Sequence, residues 1–375
     1  MKAKAAVLRT MGAPPPYADS RPLAVEELDL SPPGDGEVLV RIVAAGLCHS
    51  DLSVINGDRP RPLPMALGHE AAGVVEEVGR GVSDLRVGDH VVMVFVPSCG
   101  HCQPCMEGRP ALCEPAAAAN TAGSLISGEW RLHGSGGERV NHHVGVSAFA
   151  EYAVVSRNSL VKIDPSLPLE HAALFGCAVL TGAGAVFNTA RVRAGTDVAV
   201  VGLGGVGLSA LLAAVAAGAA RIVAVDLSDR KLETARRLGA THTVNALQED
   251  CAEQVRALTG GGVDTALEMA GSPQAMDLAY RITRRGGVTV TAGLPNPQLR
   301  WPVALVSLVA EERTVMGSYI GSSVPVRDIP RYIRLFQAGR LPVDKLLSER
   351  VQIDGLNAAF DRLAKGESIR QVLTF

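Results

Sequence analysis

Four cysteines that lie close together in the chain have the spacing of a metal site. They are Cys99, Cys102, Cys105 and Cys113. Two short intervals between successive cysteines, followed by a longer one, allow four thiolates to surround one tetrahedral ion within a compact loop. Because four thiolates fill every position around a zinc ion, such an ion could bind no substrate. The spacing therefore predicts a structural zinc that fixes the shape of the loop.

Three further residues, Cys48, His69 and Cys177, could form a metal site of a different kind. Two thiolates and one imidazole from distant segments would leave the fourth position of a zinc ion open for a reacting oxygen. Taken one at a time, however, such residues are more often packed cysteines or hydrogen-bonded core histidines. The residues alone leave both interpretations open. The seventh cysteine, Cys251, is expected to be a free thiol.

A glycine-rich turn indicates a dinucleotide site. Its residues are Gly202, Leu203, Gly204, Gly205, Val206 and Gly207. They follow a run of Val and Ala and open an apolar helical pattern, which is the setting in which such a turn binds a pyrophosphate at a helix N-terminus. With an open zinc position elsewhere in the chain, this predicts zinc-assisted hydride chemistry.

Asp226 ends the next predicted strand, where an acid usually accepts hydrogen bonds from the adenosine ribose. A carboxylate there would repel a 2′-phosphate, so the sequence predicts NAD over NADP. The alternative is that Asp226 only caps the following helix, although Ser228 could do so instead. Lys231 is a candidate for a further ribose contact, or for an ordinary solvated lysine.

The pattern of apolar residues, glycine and proline differs between the two parts of the chain. Up to about residue 165 it has short β-type runs split by Gly and Pro, at 38–44, 73–78, 90–94 and 153–155. From about residue 196, apolar strands alternate with Ala- and Leu-rich helices, as in a parallel sheet covered by helices. We therefore predict an α/β protein with two domains, and a long irregular excursion over residues 116–145.

Composition excludes several classes of function. The chain has 375 residues, of which 47% are hydrophobic and 20% charged, and its net charge is -2. This balance gives no attraction to nucleic acid or anionic lipid, and only His101 and Arg109 are basic in the four-cysteine loop, which argues against a nucleic-acid-binding zinc ribbon. The first ten residues lack a signal segment. The expectation is a cytoplasmic protein with no nucleic-acid or membrane partner.

Several motifs together resemble the zinc-dependent, medium-chain alcohol dehydrogenases from the first strand to the last residue. They are residues 68–73 (GHEAAG), the four-cysteine loop, residues 202–207 (GLGGVG) and the ending 366–370 (GESIR). The length between Cys113 and Cys177 is closer to the dimeric animal-type, class III-like enzymes than to the shorter tetrameric ones. The resemblance thus implies a homodimer.

The resemblance also implies a fold and a chemistry. The fold would be a GroES-like, β-rich catalytic domain (1–178 and 320–375) interrupted by an NAD-binding Rossmann domain (179–319), a doubly wound parallel sheet. The chemistry would be reversible hydride transfer between an alcohol or aldehyde and NAD(H), with two Zn²⁺ per chain. In this family Cys48, His69 and Cys177 hold the catalytic zinc.

Further roles carry over position by position. Glu70 would lie behind the metal, Ser50 would take the alcohol proton, and Asp51 would orient the histidine that binds zinc. Cofactor contacts are implied for His49, Thr181, Val206, Leu294 and Arg370, of which His49 and Arg370 would meet the pyrophosphate. The implied alcohol pocket contains Phe95, His143, Val144, Leu294 and Tyr319.

This mixed pocket favours a primary alcohol with an apolar or aryl tail. His143 also allows a polar tail, or could point outward on an irregular loop. Glutathione-linked formaldehyde oxidation is one alternative, although residues to grip the glutathione carboxylates are not evident; a non-catalytic, zinc-stapled binding protein is another. The chain departs from the family at Ser53, where a histidine often ends the proton relay. This leaves Ser53 with a water, His49 or a direct path as the route for the proton.

Overall fold

A computed structural model of the chain describes all 375 residues. The strands are β1 Lys2–Leu8, β2 Leu23–Leu30, β3 Glu37–Gly46, β4 Met65–Ala66, β5 Glu70–Val78, β6 His90–Met93, β7 Leu132–His133, β8 Arg139–His142, β9 Tyr152–Ser156, β10 Leu160–Lys162, β11 Asp197–Val201, β12 Arg221–Asp226, β13 His242–Asn245, β14 Val263–Glu268, β15 Thr283–Thr291, β16 Thr314–Gly317, β17 Leu347–Val351 and β18 Arg370–Thr374. The α-helices are α1 Tyr17–Ser20, α2 His49–Ile55, α3 Gln103–Met106, α4 Glu114–Ala122, α5 Leu169–Ala173, α6 Ala178–Gly184, α7 Gly205–Ala216, α8 Asp229–Arg237, α9 Cys251–Thr259, α10 Pro273–Ile282, α11 Leu305–Ala310, α12 Pro325–Gln337 and α13 Leu356–Ala364. Short 3₁₀ turns and a π-helical segment, Ala185–Ala190, complete the chain.

The chain forms two compact units. The β-rich unit contains Met1–Cys177, Val324–Pro330 and Leu347–Phe375, and the parallel-sheet unit contains Ala178–Ser323 and Arg331–Leu346. This arrangement confirms the predicted α/β class, in which a β-rich domain is interrupted by a doubly wound one.

The β-rich unit is built from a closed barrel and a sheet. The barrel has the order β1-β2-β7-β8-β4, and the sheet has the order β10-β6-β5-β3-β18-β17, with β9 also paired to β3. Phe149 lies in the core of this unit and contacts Phe360 of α13 with a ring-centroid distance of 6.1 Å. The carboxylate of Asp361 accepts hydrogen bonds from the backbone of Tyr17 and Ala18 at 2.6 and 2.8 Å. The C-terminal helix is thus tied to the beginning of the chain.

The parallel-sheet unit has six parallel strands in the order β13-β12-β11-β14-β15-β16. The strands β11 and β12, which precede and follow the glycine-rich turn and its helix, lie inside this sheet. Every residue of β11 is buried. A continuous apolar run is what a strand needs when helices cover both faces of its sheet. The strand order reverses beside β11, and the crevice at such a reversal is where open α/β sheets bind nucleotides.

The prediction of a long irregular excursion over residues 116–145 is wrong. It contains most of α4 and the strands β7 and β8, which pair with each other. Alanine has the highest helix propensity, Pro115 lies in the first turn of α4, and Gly123 ends the helix at φ +73°. These local signals explain why the alanine run is helical.

No single helix of the protein has both the length and the apolar composition needed to cross a membrane. Taken together, the bent pair Leu169–Gly176 and Ala178–Ala190 meets that test by length and composition only.

His142, at the end of β8, is a buried histidine with a predictable effect on stability. Burial, with a smaller contribution from Arg131, lowers its pKa from 6.5 to about 3. Below pH 6.5 the unfolded chain therefore binds a proton that the folded chain does not. We expect this residue to reduce the free energy of unfolding by about 2 kcal/mol between pH 6.5 and pH 5.

The measurement is urea unfolding of wild type and His142→Gln, whose amide oxygen can still accept the 3.1 Å hydrogen bond from the Arg131 backbone. The variant should lose less stability on acidification. Parallel pH profiles for the two proteins would contradict a neutral, buried His142.

Candidate active site and metal centres

Cys48, His69 and Cys177 come together inside the β-rich unit. All three are buried, and one ligand atom from each lies within 4.8 Å of the others. Cys48 precedes α2, His69 immediately precedes β5, and Cys177 follows the 3₁₀ turn Leu174–Gly176. The interpretation of these residues as unrelated core side chains is therefore wrong.

Asp51 fixes the orientation of the His69 ring. Its Oδ1 lies 3.0 Å from His69 Nδ1, and its Oδ2 accepts a hydrogen bond from the backbone N of Cys48 at 3.2 Å. An ionised carboxylate only accepts hydrogen bonds, so Nδ1 carries the hydrogen and Nε2 is the ring nitrogen left to bind a metal ion. That Nε2 is buried and has no hydrogen-bond partner. Two sulfurs and one unpartnered imidazole nitrogen fit a zinc ion.

The charges at this site also suit a cation. A hydrogen bond from Cys177 lowers the pKa of Cys48 well below its usual value despite the opposing effect of burial, and His69 acts in the same direction. Burial raises the pKa of Asp51, but His69 and His143 outweigh it and hold that pKa below its usual value. Both shifts favour the negatively charged form of a buried side chain, which a nearby cation would stabilise.

Glu70 lies behind the cluster as half of a buried ion pair. Its carboxylate contacts the Nη2 of Arg370, whose Nη1 donates to the carbonyl of Leu47 at 3.0 Å. A side chain at Gly46 would lie 2.9 Å from the Glu70 carboxyl carbon, so only glycine leaves room for this carboxylate. The pair joins β18 to the segment that carries Cys48. The pyrophosphate contact expected for Arg370 stays a prediction.

Phe95 and His143 flank the His69 ring. Both contact it edge-on, with ring-centroid distances of 5.3 and 5.4 Å. His143 Nδ1 also lies 3.2 Å from Asp51 Oδ1. The possibility that His143 points outward is therefore wrong. Val144 follows it in the left-handed region at φ +45°, which is strained for a β-branched residue.

Two hydroxyl groups lie on α2. Ser50 is half-buried in the first turn. The hydroxyl of Ser53 donates to the carbonyl of His49 at 2.9 Å, and the His49 side chain lies on the exposed face of the helix.

Sequence reasoning missed the residues that support the pocket. Ser147 Oγ accepts a hydrogen bond from the backbone N of His143 at 2.9 Å and donates one to the carbonyl of Ala66 at 2.8 Å. Asn120 Nδ2 donates to the carbonyl of Phe95 at 3.0 Å. Serine and asparagine are common throughout the chain, and the contacts to Ala66 and Phe95 join distant segments, so no local pattern could reveal them.

The four-cysteine loop also forms a closed cluster. Cys99, Cys102, Cys105 and Cys113 place their sulfurs within 4.8 Å of one another. The backbone N–H of Cys99 points at the Cys113 sulfur at 3.2 Å, and that of Cys102 points at the Cys99 sulfur at 3.3 Å. Hydrogen bonds from the backbone N–H groups of His101 and Cys102 lower the pKa of Cys99 to about 6 against burial. This donor set fits a structural zinc.

The glycine-rich turn joins β11 to α7 in the parallel-sheet unit. Gly202 has φ +92°, and a side chain at Gly207 would lie 1.8 Å from the Gly202 carbonyl oxygen. At Gly204, in contrast, the space that a side chain would fill is empty. Gly205 and the half-buried Val206 begin α7. An open cradle at the N-terminus of a twelve-residue helix fits a pyrophosphate.

Asp226 lies at the end of β12 and faces this turn. Its Oδ2 accepts a hydrogen bond from the backbone N of Leu203 at 2.7 Å, and its Oδ1 accepts one from that of Ser228 at 3.0 Å. Lys231 Nζ lies 3.9 Å from the same carboxylate. The Ser228 side chain makes no capping hydrogen bond to α8.

The remaining predicted residues also lie in the parallel-sheet unit. Thr181 is buried in α6, whereas Leu294 and Tyr319 are 51% and 39% exposed.

Comparison with known proteins identifies the chain's relatives. A family model described as alcohol dehydrogenase GroES-like domain matches residues 34–165, and one described as zinc-binding dehydrogenase matches residues 205–338. The chain is 40% identical to the NDMA-dependent alcohol dehydrogenase of Amycolatopsis methanolica, over 100% of this chain and 99% of that protein. The protein belongs to the zinc-dependent medium-chain alcohol dehydrogenase family.

Solved structures agree with this family assignment. Benzyl alcohol dehydrogenase from Acinetobacter calcoaceticus has a TM-score of 0.93 and 35% identity, covering 100% of this chain and 99% of that one. A zinc-binding dehydrogenase from Sinorhizobium meliloti bound to NADP has a TM-score of 0.80 and 26% identity, with full coverage of both chains. This alcohol dehydrogenase is therefore a zinc-binding oxidoreductase that interconverts alcohols and aldehydes. The resemblance and the prediction of an alcohol dehydrogenase are confirmed.

The two clusters predict different responses to loss of a ligand. We expect wild type to contain two zinc ions per chain and both Cys48→Ser and Cys105→Ser to contain one. Cys48→Ser should lose activity and keep its melting temperature, because it removes a ligand from the three-ligand site, which we expect to serve catalysis rather than stability. Cys105→Ser should melt several degrees lower, since each ~1 kcal/mol shifts the midpoint of a domain of this size by about 2–4 °C.

Metal analysis and calorimetry of the three proteins check this. Equal melting temperatures for both variants would contradict a structural role for the four-cysteine site.

Proposed function

We propose that the protein catalyses reversible hydride transfer between NAD(H) and a primary alcohol or aldehyde with an apolar or aryl tail. Asp51 and His69 carry the proposal: Asp51 holds His69 so that its unpartnered Nε2 and the sulfurs of Cys48 and Cys177 form an incomplete, buried ligand set. Three protein ligands are typical of a catalytic zinc site, and four are typical of a structural one. Cys48, His69 and Cys177 would form a site of the first kind, and the four-cysteine loop one of the second.

A zinc ion held by these three residues would polarise the oxygen of the alcohol or aldehyde. The chain's own residues then orient and deprotonate the substrate. Asp51 keeps His69 in a single tautomer and orientation. Ser50, two residues after Cys48, accepts the alcohol proton at its hydroxyl oxygen and passes its own hydroxyl proton to water, which the half-buried side chain can reach. Phe95 and His143 form the wall beside His69 and favour a flat or apolar tail over a charged one.

A second observation supports a substrate with an aryl tail. The similar enzyme from Acinetobacter calcoaceticus is a benzyl alcohol dehydrogenase. An edge-on aromatic wall suits an aromatic substrate because ring quadrupoles favour offset and edge-to-face contacts. We rank glutathione-linked formaldehyde oxidation lower.

NAD is the proposed hydride acceptor because of Asp226. Each of its oxygens accepts one backbone hydrogen bond and keeps a lone pair for a ribose hydroxyl. Its negative charge would repel a 2′-phosphate, and Lys231 at 3.9 Å only partly offsets that charge. His49, Thr181, Val206, Leu294 and Arg370 complete the proposed cofactor contacts.

We also propose a homodimer, supported by the edge of the parallel-sheet unit. The strand β16 is the last strand of its sheet, and all of its residues are exposed. Beside it in the sequence, Leu305, Val306 and Val309 of α11 are exposed as well. An apolar edge strand favours pairing with another chain.

A panel of alcohols and aldehydes tests the proposed activity. We expect NADH to form with benzyl-type and medium-length primary alcohols, a rate with NADP at least tenfold lower, and no activity after removal of zinc by a chelator. The rate of absorbance change at 340 nm is the measurement. NDMA is included as an alternative acceptor, because the relative from Amycolatopsis methanolica is NDMA-dependent.

Turnover with NDMA but not with free NAD would favour an NDMA-dependent alcohol dehydrogenase, the second candidate function. Turnover by metal-free protein would contradict the zinc-dependent mechanism.

Ser50 and Ser53 should contribute unequally to proton transfer. We expect Ser50→Ala to reduce kcat by about 10²-fold or more, as is typical when a proton-transfer group is removed. Ser53→Ala should reduce it less, because the Ser53 hydroxyl already donates to the His49 carbonyl at 2.9 Å. Steady-state kinetics of the two variants provide the comparison. Equal losses would show that Ser53 belongs to the relay.

A further inference from the structure

Asp51 interacts with two imidazole rings rather than one. Its Oδ1 lies 3.0 Å from Nδ1 of His69 and 3.2 Å from Nδ1 of His143. The three side chains are 0%, 2% and 3% exposed, respectively. Because an ionised carboxylate can only accept, His69 donates its Nδ1–H to that oxygen, whereas His143 Nδ1 lies close to it without hydrogen-bond geometry. Removing either ring would take a polar group away from a buried carboxylate, and this loss is costly where water cannot replace it.

The backbone holds His143 at this position. Its N–H donates to Ser147 Oγ, which in turn donates to the carbonyl of Ala66, immediately before the segment that carries His69. Val144 and Ser147 have φ values of +45° and +54°. Left-handed residues other than glycine are unfavourable and persist only where the surrounding structure enforces them. The turn thus maintains a strained conformation that places the His143 ring against Asp51.

The interactions of His142 differ from those of His143. It is also buried, but its Nε2 accepts a hydrogen bond from the Arg131 backbone, and no hydrogen bond or ion pair joins it to Asp51. Burial alone therefore does not explain the position of His143. The shared carboxylate distinguishes the two neighbouring histidines.

We propose that His143 is a positioning residue of the three-ligand zinc site: with its Nδ1 held 3.2 Å from Asp51 Oδ1, it keeps the carboxylate where it orients His69, and so retains the metal. The inference rests on the proposed zinc at Cys48, His69 and Cys177. It gives His143 a role beyond that of a pocket wall. Loss of a partner that orients a metal ligand typically weakens metal affinity or activity by 10–100-fold.

The test compares His143→Phe and His143→Asn in the full-length, zinc-loaded enzyme. Phenylalanine keeps an aromatic ring but has no donor, whereas the asparagine amide can replace the Nδ1–H. We expect His143→Phe to release one zinc ion to a chelator about tenfold faster than wild type, and His143→Asn to stay within about threefold of it. His142→Gln is the matched control and should release zinc at the wild-type rate. The four-cysteine zinc is an internal reference and should be unaffected in all variants.

Kinetics separate metal retention from substrate contact. If His143 acts through Asp51, excess zinc should restore most of the kcat of His143→Phe. A variant that keeps its zinc, with only the KM for the alcohol changed, would overturn the proposal and leave His143 as a pocket residue. If His143→Phe does not fold, as judged by circular dichroism, His143→Leu takes its place with the same expected results. A wild type without zinc at Cys48, His69 and Cys177 would refute both this inference and the proposed function, whereas a defect confined to the variants bears on His143 alone.

Discussion

The buried carboxylate of Asp51 is the interaction on which the rest of the site depends. Its oxygens interact with the backbone of Cys48 and Gly68 and with the rings of His69 and His143. A carboxylate without solvent is tolerated only when donors surround it. Two of these donors, the backbone of Cys48 and the ring of His69, belong to proposed zinc ligands. Satisfying this one charge therefore assembles most of the metal site.

A second buried ion pair links the C-terminal strand to the rest of the β-rich unit. Arg370, in the last strand, pairs with Glu70 and also donates to the carbonyl of Leu47. Breaking such a pair by removing one partner leaves an uncompensated buried charge. The end of the chain is thus part of the site.

The parallel-sheet unit depends on backbone geometry rather than on charge. The turn after β11 needs a positive φ at Gly202 and has no room for a side chain at Gly207. Asp226 then fixes the turn by accepting the backbone N–H of Leu203. The residue proposed to select the cofactor is consequently also one that shapes the cradle, so specificity and local structure are linked at one carboxylate.

The sequence by itself determined the two zinc patterns, the glycine-rich turn and the α/β class, because ligand spacing, glycine positions and hydrophobic periodicity are local properties. It predicted β11 and β12 as the structure has them, but missed the helix over the alanines of α4. Only the tertiary structure decided that Cys48, His69 and Cys177 meet, that Glu70 pairs with Arg370, and that His143 shares Asp51 with His69. These contacts join segments far apart in the chain, and their geometry is set by packing and by the need to satisfy buried charges, neither of which is written in the spacing of neighbouring residues.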